Sequence, residues 1–316
     1  MNGFLKKYPV PIAGLMLGLA AAGNLIQSYG NVYRNTLGVI SSVLFIFMLA
    51  KIAMYPKEVK ESLNNPLIGS VFPTFSMAIM ILATYLKPYA AALSLIVWFI
   101  GFILHVILIL WFTKKYVVNF KIKQVFPSWF IVYVGIVVAS VTAPAFKLAG
   151  LGKVSFWFGF ITYLILLFIV SYRVIKVKEM PEPALPTLII FSAPASLLLA
   201  GYMNSFESKS MTIVWFLMIL SIVMYVIALV LLPKLLKLKF YPSYSAFTFP
   251  LIISGISIKA TNGFLIKTKQ PISALGYLVK IQEVIGVAIV IYVLIRYILF
   301  LLPDNTVAQN IKGEAK

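Results

Sequence analysis

The residues able to do acid–base, nucleophilic or metal chemistry are few: eight carboxylates, one histidine and no cysteine in a chain of 316 residues. Disulfides, thiolate catalysis and cysteine metal sites are excluded. The single histidine, His105, rules out the usual multi-histidine metal centres. Glu58, Glu61, Glu179, Glu182, Glu207, Asp304 and Glu314 fall in polar connecting stretches or tails. Only Glu283 falls inside a long apolar run, near one end of it, where Lys280 three residues earlier reads as a local helix partner. A buried carboxylate relay is costly and is kept in a membrane only for function, and no mid-membrane position holds one. Aspartate-rich metal sites are missing as well. The inventory therefore predicts no enzyme, no cofactor and no metal. It leaves aromatic rings, hydroxyls and a few cations to act.

These residues sit in a chain that is 62% hydrophobic and 11% charged, with mean hydropathy +1.01. A soluble domain carries about 25% charged residues. Only a bilayer absorbs this much apolar surface. Ten apolar runs are long enough to cross about 30 Å of hydrocarbon, at roughly 10–28, 35–54, 67–86, 89–112, 127–147, 153–172, 186–204, 211–233, 243–265 and 278–302. They are too long for strands of a membrane barrel, and backbone groups in lipid must be satisfied internally, so all ten read as helices. The fold class predicted is an all-α integral membrane protein, with residues 1–316 as one transmembrane domain. Lys6 and Lys7 before an apolar stretch, with Ala20-Ala21-Ala22 after it, resemble a signal peptide. The apolar stretch runs on to Ile26, which favours a first spanning helix.

The net charge of +19 comes in short clusters between apolar runs. That is a topology signal and not a nucleic-acid-binding face. Ten spans place the N-terminus, the loops after even spans and the C-terminus on one side. That side holds 18 of the 27 basic residues, among them Lys51, Lys114, Lys121, Arg173, Lys234, Arg296, Lys312 and Lys316. The other side holds nine: Arg34, Lys87, Lys147, Lys153, Lys209, Lys259, Lys267, Lys269 and Lys280. The bias predicts a multi-pass protein of the cell membrane with both termini cytoplasmic.

Prolines well inside the spans fall only in odd-numbered helices: Pro11, Pro73, Pro144, Pro194 and Pro250. A proline removes a backbone hydrogen bond, and the freed carbonyl needs protein or water nearby. The alternation predicts five hairpins, each with a kinked inner helix and a straight outer helix that suits lipid contact. The odd helices also carry the small and hydroxyl residues. Gly14 and Gly18 form a GxxxG pair that reads as close packing or as pore lining. Gly135, Ser140, Ser196, Ser245, Thr248, Ser254 and Gly255 continue the pattern. A nearly neutral, hydroxyl-lined path with basic mouths suits anions, and weak binding favours fast exit. Lys259 lies about 24 Å along the ninth helix from Ser243, where it either snorkels or draws anions to the outer mouth. Arg296 reads as reaching the opposite interface. His105, on an even helix, reads as structural.

Several of these segments carry a family likeness: Phe126-Pro127-Ser128-Trp129-Phe130 with Tyr133-Val134-Gly135, Phe191-Ser192-Ala193-Pro194, Ser245-Ala246-Phe247-Thr248-Phe249-Pro250, and Asn65-Pro66 before Phe72-Pro73. In this order they resemble the tellurite-resistance/dicarboxylate transporter family, which includes the plant guard-cell slow anion channels. The resemblance implies a ten-helix protomer with five inner helices around a central pore. It also implies trimers with a separate pore in each protomer, and passage of small anions: chloride, nitrate, sulfite, tellurite-type oxyanions or C4-dicarboxylates such as malate. A proton-coupled C4-dicarboxylate carrier is the alternative on the same scaffold. In the family a phenylalanine of the ninth helix plugs the pore. Phe249 matches that place, Phe247 is the alternative, and Phe72 matches a second aromatic near the constriction. The chain departs from the family at Tyr244-Ser245-Ala246, where many relatives carry a tryptophan-rich stretch, and at Ala193-Pro194-Ala195, where a second proline is common.

Overall fold

The computed structural model describes residues 2–302, and the side chains from residue 3. Asp304, Lys312, Glu314 and Lys316 lie outside the described residues. Among those described there is no strand, and ten helical segments are long and apolar enough to span a bilayer. They are α1 Val10–Tyr29, α2 Asn31–Met54, α3 Pro66–Leu86, α4 Ala91–Val117, α5 Trp129–Phe146, α6 Ala149–Val177, α7 Glu182–Ser205, α8 Met211–Leu235, α9 Pro242–Lys267 and α10 Ser273–Leu301. Each predicted run falls on one of them. The largest boundary differences are in α4, α6 and α10. The first two run on through a five-residue π-helical turn, Thr113–Val117 and Arg173–Val177, and α10 begins five residues early.

Burial alternates along the chain. The apolar windows of α1, α3, α5, α7 and α9 are 61–83% buried, against 22–33% for the even helices. The odd helices pack in a closed cycle, α1 on α3, α3 on α5, α5 on α7, α7 on α9 and α9 back on α1. Each even helix packs outside that cycle against odd neighbours. The exposed face of the even helices is a run of large apolar side chains, such as Ile96, Ile100, Ile103 and Ile107 on α4, which suits lipid.

The odd helices are also the irregular ones. A 3₁₀ turn at Val10–Ile12 opens α1, and a break at Phe72-Pro73 divides α3. Two 3₁₀ turns, Gly135–Val137 and Ala143–Phe146, interrupt α5. An eleven-residue 3₁₀ stretch, Glu182–Ser192, opens α7, and Pro242–Phe247 opens α9. Pro194 and Pro250 then sit in the first turn of the α-helical parts that follow, Ala193–Ser205 and Thr248–Lys267. A first-turn proline loses no helix bond. The irregularity in α7 and α9 is thus a change from 3₁₀ to α winding.

Hydroxyls serve this irregular backbone. Thr74 donates to Val71 O at 2.8 Å, Ser76 to Pro73 O at 2.7 Å, Thr248 to Ser245 O at 2.7 Å and Ser254 to Pro250 O at 2.9 Å. Others join helices: Ser196 Oγ lies 2.7 Å from Ser221 Oγ on α8 and 3.0 Å from Ser254 Oγ on α9. His105 is fully buried between three helices. Its Nε2 lies 3.2 Å from Val132 O and its Nδ1 2.8 Å from Ser76 Oγ. It ties α4 to α3 and α5, a structural role.

Candidate functional site

Two cavities lie inside the cycle of odd helices. The first, of about 40 Å³, is lined by residues of all five, including Gly14, Thr74, Gly135, Pro194, Phe249 and Pro250. The second, of about 60 Å³, is lined from the same five helices by Asn24, Ile81, Thr142, Ile253 and neighbours. On α1, α3, α5 and α9 the second cavity reaches later residues than the first, and on α7 it meets only the last of them, so the two lie one above the other along the axis. Leu197 and Phe249 line both and are the residues between them. A larger hollow of about 240 Å³ lies beyond the first cavity at the amino ends, lined by Pro9–Pro11, Asn65, Pro183 and Pro242, and it shares Val71 with the first. One water needs about 10–15 Å³ on this measure. Each inner cavity therefore has room for a few waters, and a ring and a leucine stand between them.

The positions of the sequence-nominated residues divide into three groups. Phe249, Gly14, Gly135, Pro194 and Pro250 come together around the first cavity. Phe247 and Phe72 line none of the three hollows. Phe247 packs on Tyr244, ring centroids 4.8 Å apart, and Phe72 stacks on Phe75 at 5.6 Å, which continues to Phe45 of α2 at 5.3 Å. Gly18, Gly255, Pro73 and Pro144 also lie off the lining. A Cβ at Gly18 would meet Thr248 Oγ1 at 2.4 Å, and one at Gly255 would meet Leu25 at 3.1 Å, so both serve helix contact.

The lining differs in one respect from the hydroxyl-lined path expected. Thr74 and Ser245 are the hydroxyl residues of the first cavity, and Asn24 and Thr142 the polar residues of the second; the rest is apolar or glycine. Most other serines and threonines turn back to their own helix or join a neighbour, because the 3₁₀ breaks leave carbonyls that need donors. Leu197 had no signal of its own. It stands three residues after Pro194 and four after Ala193, on one helical face, and that spacing marks it once Pro194 is known to line.

The carboxyl end of the bundle is basic. Lys259 Nζ lies 2.7 Å from Glu283 Oε1 of α10 and donates to Ser28 Oγ and to Leu25 O of α1, each at 2.7 Å. Glu283 also accepts from Tyr29 at 2.7 Å. The expected pair within α10, Lys280 with Glu283, is thus replaced by one between helices: Lys280 is exposed and Glu283 is buried against α9 and α1. The Lys259 side chain is 34% exposed and that of Glu283 6%. Lys259→Met leaves the carboxylate buried with only a phenol. The expected loss is about 1–3 kcal/mol in thermal or denaturant unfolding, less than for a fully buried pair. Adding Glu283→Gln should recover most of it; no loss in the single variant would sink the account. At the amino end Arg296 donates to Tyr292 Oη at 2.8 Å and stands over the Phe240 and Tyr244 rings. Lys123, 2.9 Å from Glu179, joins two loops there and holds that carboxyl below the usual carboxylate range.

The described residues hold no group of three or more acidic, histidine or cysteine side chains placed to bind a metal. Comparison with known proteins agrees with a role in transport. An uncharacterized transporter of Methanocaldococcus jannaschii is 26% identical over 256 residues, covering 70% of this chain and 72% of its own. A family model described as voltage-dependent anion channel (SLAC1) matches residues 9–301. With ten apolar helices and this match across nearly its whole length, the chain belongs to the SLAC1 voltage-dependent anion channel family of membrane proteins.

Proposed function

We propose that the protein passes small anions along the axis of the five odd helices, and that Phe249 and Leu197 close the path. The observation that carries this reading is the stack of hollows lined by all five helices, with those two side chains shared between the inner pair. An ion stripped of water in an apolar neck faces a steep barrier, so a ring there is an effective plug and its rotation an effective opening. Five parallel helices also turn their amino ends toward the vestibule, each with about half a positive charge, which favours an anion over a cation. Chloride, nitrate, sulfite, tellurite-type oxyanions and malate are the candidate substrates. The family resemblance supports trimers with one path in each protomer. The two-fold excess of basic residues at the amino end supports a cell-membrane protein with both termini in the cytoplasm.

The competing reading is a proton-coupled dicarboxylate carrier, which needs a titratable group on the path. No carboxylate or histidine lines the three hollows; Glu283 is engaged with Lys259 and Tyr29, and His105 is buried between helices. Anion flux into proteoliposomes, followed with chloride, nitrate and labelled malate, should persist without a pH gradient and change less than about two-fold when one is imposed. Strict dependence on the gradient would replace the channel reading with the carrier.

A further inference from the structure

Parallel helices create a difficulty for an anion at the far end. Five amino ends at one mouth mean five carboxyl ends at the other, about half a negative charge each, or roughly 2.5 in all. The last carbonyls of a helix carry that charge and lack intrahelical donors. Four of the five odd helices solve this in the same way. Lys259 of α9 donates to Leu25 O near the end of α1 at 2.7 Å. Arg34 of α2 donates to Thr84 O near the end of α3 at 3.4 Å. Lys87 donates to Ala145 O in the last turn of α5. Lys209 donates to Phe206 O just past α7 at 2.6 Å.

Three of the four carbonyls have a local reason to be free. Four residues after Thr84 stands Pro88, which has no N–H to give. Lys147 turns into the left-handed region at φ 61°, and the N–H of Leu148 goes back to Ala143 O, past Ala145 O. The N–H of Ser210, four residues after Phe206, goes to the Tyr202 hydroxyl. The cations are anchored a second time by rings: Arg34 lies 3.9 Å from the Tyr85 ring, Lys87 5.7 Å from Phe146, Lys209 5.2 Å from Phe264 at the end of α9, and Lys259 5.7 Å from Tyr29. Arg34 also donates to Asn24, which lines the second cavity. Of the four, Lys259 alone has a carboxylate partner among the described residues.

We propose that Arg34, Lys87, Lys209 and Lys259 form a ring of cationic caps that reverses the helix-dipole field at the carboxyl mouth and so sets anion entry and selectivity from that side. The proposal rests on the axial path proposed above. A cation on the carbonyl places its charge where the dipole is negative, and ring stacking holds it there without a carboxylate that would cancel it. Arg34, Lys87 and Lys209 are then the residues that set the field. Lys259, tied to Glu283, serves more as a latch between α1, α9 and α10.

The test uses purified full-length protein in planar bilayers, on a Phe249→Ala background so that current is measurable, with chloride as the permeant ion. Lys87→Met and Lys209→Met are made singly and together, beside Lys87→Arg and Lys209→Arg. Each lost charge should cut chloride current entering from the carboxyl mouth about two- to four-fold at 0.1 M salt, as expected for a unit charge about 10 Å away at a wet surface. Current from the amino mouth should change far less. The arginine variants should behave as the parent. At 1 M salt, where screening falls to about 3 Å, the asymmetry should fade. Equal loss in both directions, or asymmetry that survives high salt, would show the lysines to be structural and overturn the proposal. A Phe249→Ala parent without anion current in either direction is a different result: it removes the path itself, and the caps with it.

Discussion

Phe249→Ala is expected to join the two inner cavities and raise anion conductance of the reconstituted protein at least about ten-fold, the factor that 1.4 kcal/mol off a barrier supplies. The ring is 6% exposed and touches both cavities, so its loss removes the widest part of the barrier between them. Leu197→Ala should raise conductance by a smaller factor, because the leucine is the lesser of the two obstacles. Phe247→Ala and Phe72→Ala are the controls. Both rings pack among other aromatics away from the hollows, so their loss should lower stability and leave conductance near the parent level. Single-channel or macroscopic bilayer currents decide it. A closed Phe249→Ala beside a conducting Phe247→Ala or Phe72→Ala would move the plug to another ring and refute the present assignment.

The fold was legible because its strongest signal is length and apolarity, and each of ten runs meets the bilayer requirement. The separation of buried from exposed helices was legible as well. Proline carries information about backbone need, and backbone need in lipid points inward. Three things were not legible. Whether Ser254 faces a path or its own helix depends on which carbonyls a 3₁₀ break frees, and apolar periodicity does not report that. Whether Glu283 pairs with Lys280 or Lys259 depends on which face of α10 is buried; the i,i+3 spacing allowed the first, and burial selected the second. Leu197 and Arg34 act through position alone. Leucine and arginine at these places look like any residue of a span or its flank. Phe249 is a different case. It is one of 24 phenylalanines, and only the family motif Ser245–Pro250 singled it out before the cavities did.

The GxxxG pair of α1 was read two ways, as packing or as lining, and its two glycines have separate duties. Gly14 faces the first cavity and lies against Ser245, where a Cβ would stand 2.9 Å from the serine side chain. Gly18, one turn on, lies against the start of the α-helical part of α9. A Cβ there would meet Thr248 at 2.4 Å and the backbone nitrogen of Phe249 at 3.2 Å. The threonine cannot simply rotate away, because its hydroxyl donates to Gly14 O at 3.0 Å and to Ser245 O. Gly18→Val must therefore push α9 off α1 at the level of the proposed plug. Overpacking of this kind costs about 1–3 kcal/mol. The expected result is a lower unfolding temperature in detergent together with a raised basal anion leak, since the displaced segment carries Phe249. Gly14→Ala, whose Cβ meets mainly a serine side chain, should lose less stability. The coupling of the two readouts is the point of the experiment. If Gly18→Val loses stability while conductance stays at the parent level, the seat of α1 against α9 does not hold the plug, and closure must come from α7, where Leu197 stands.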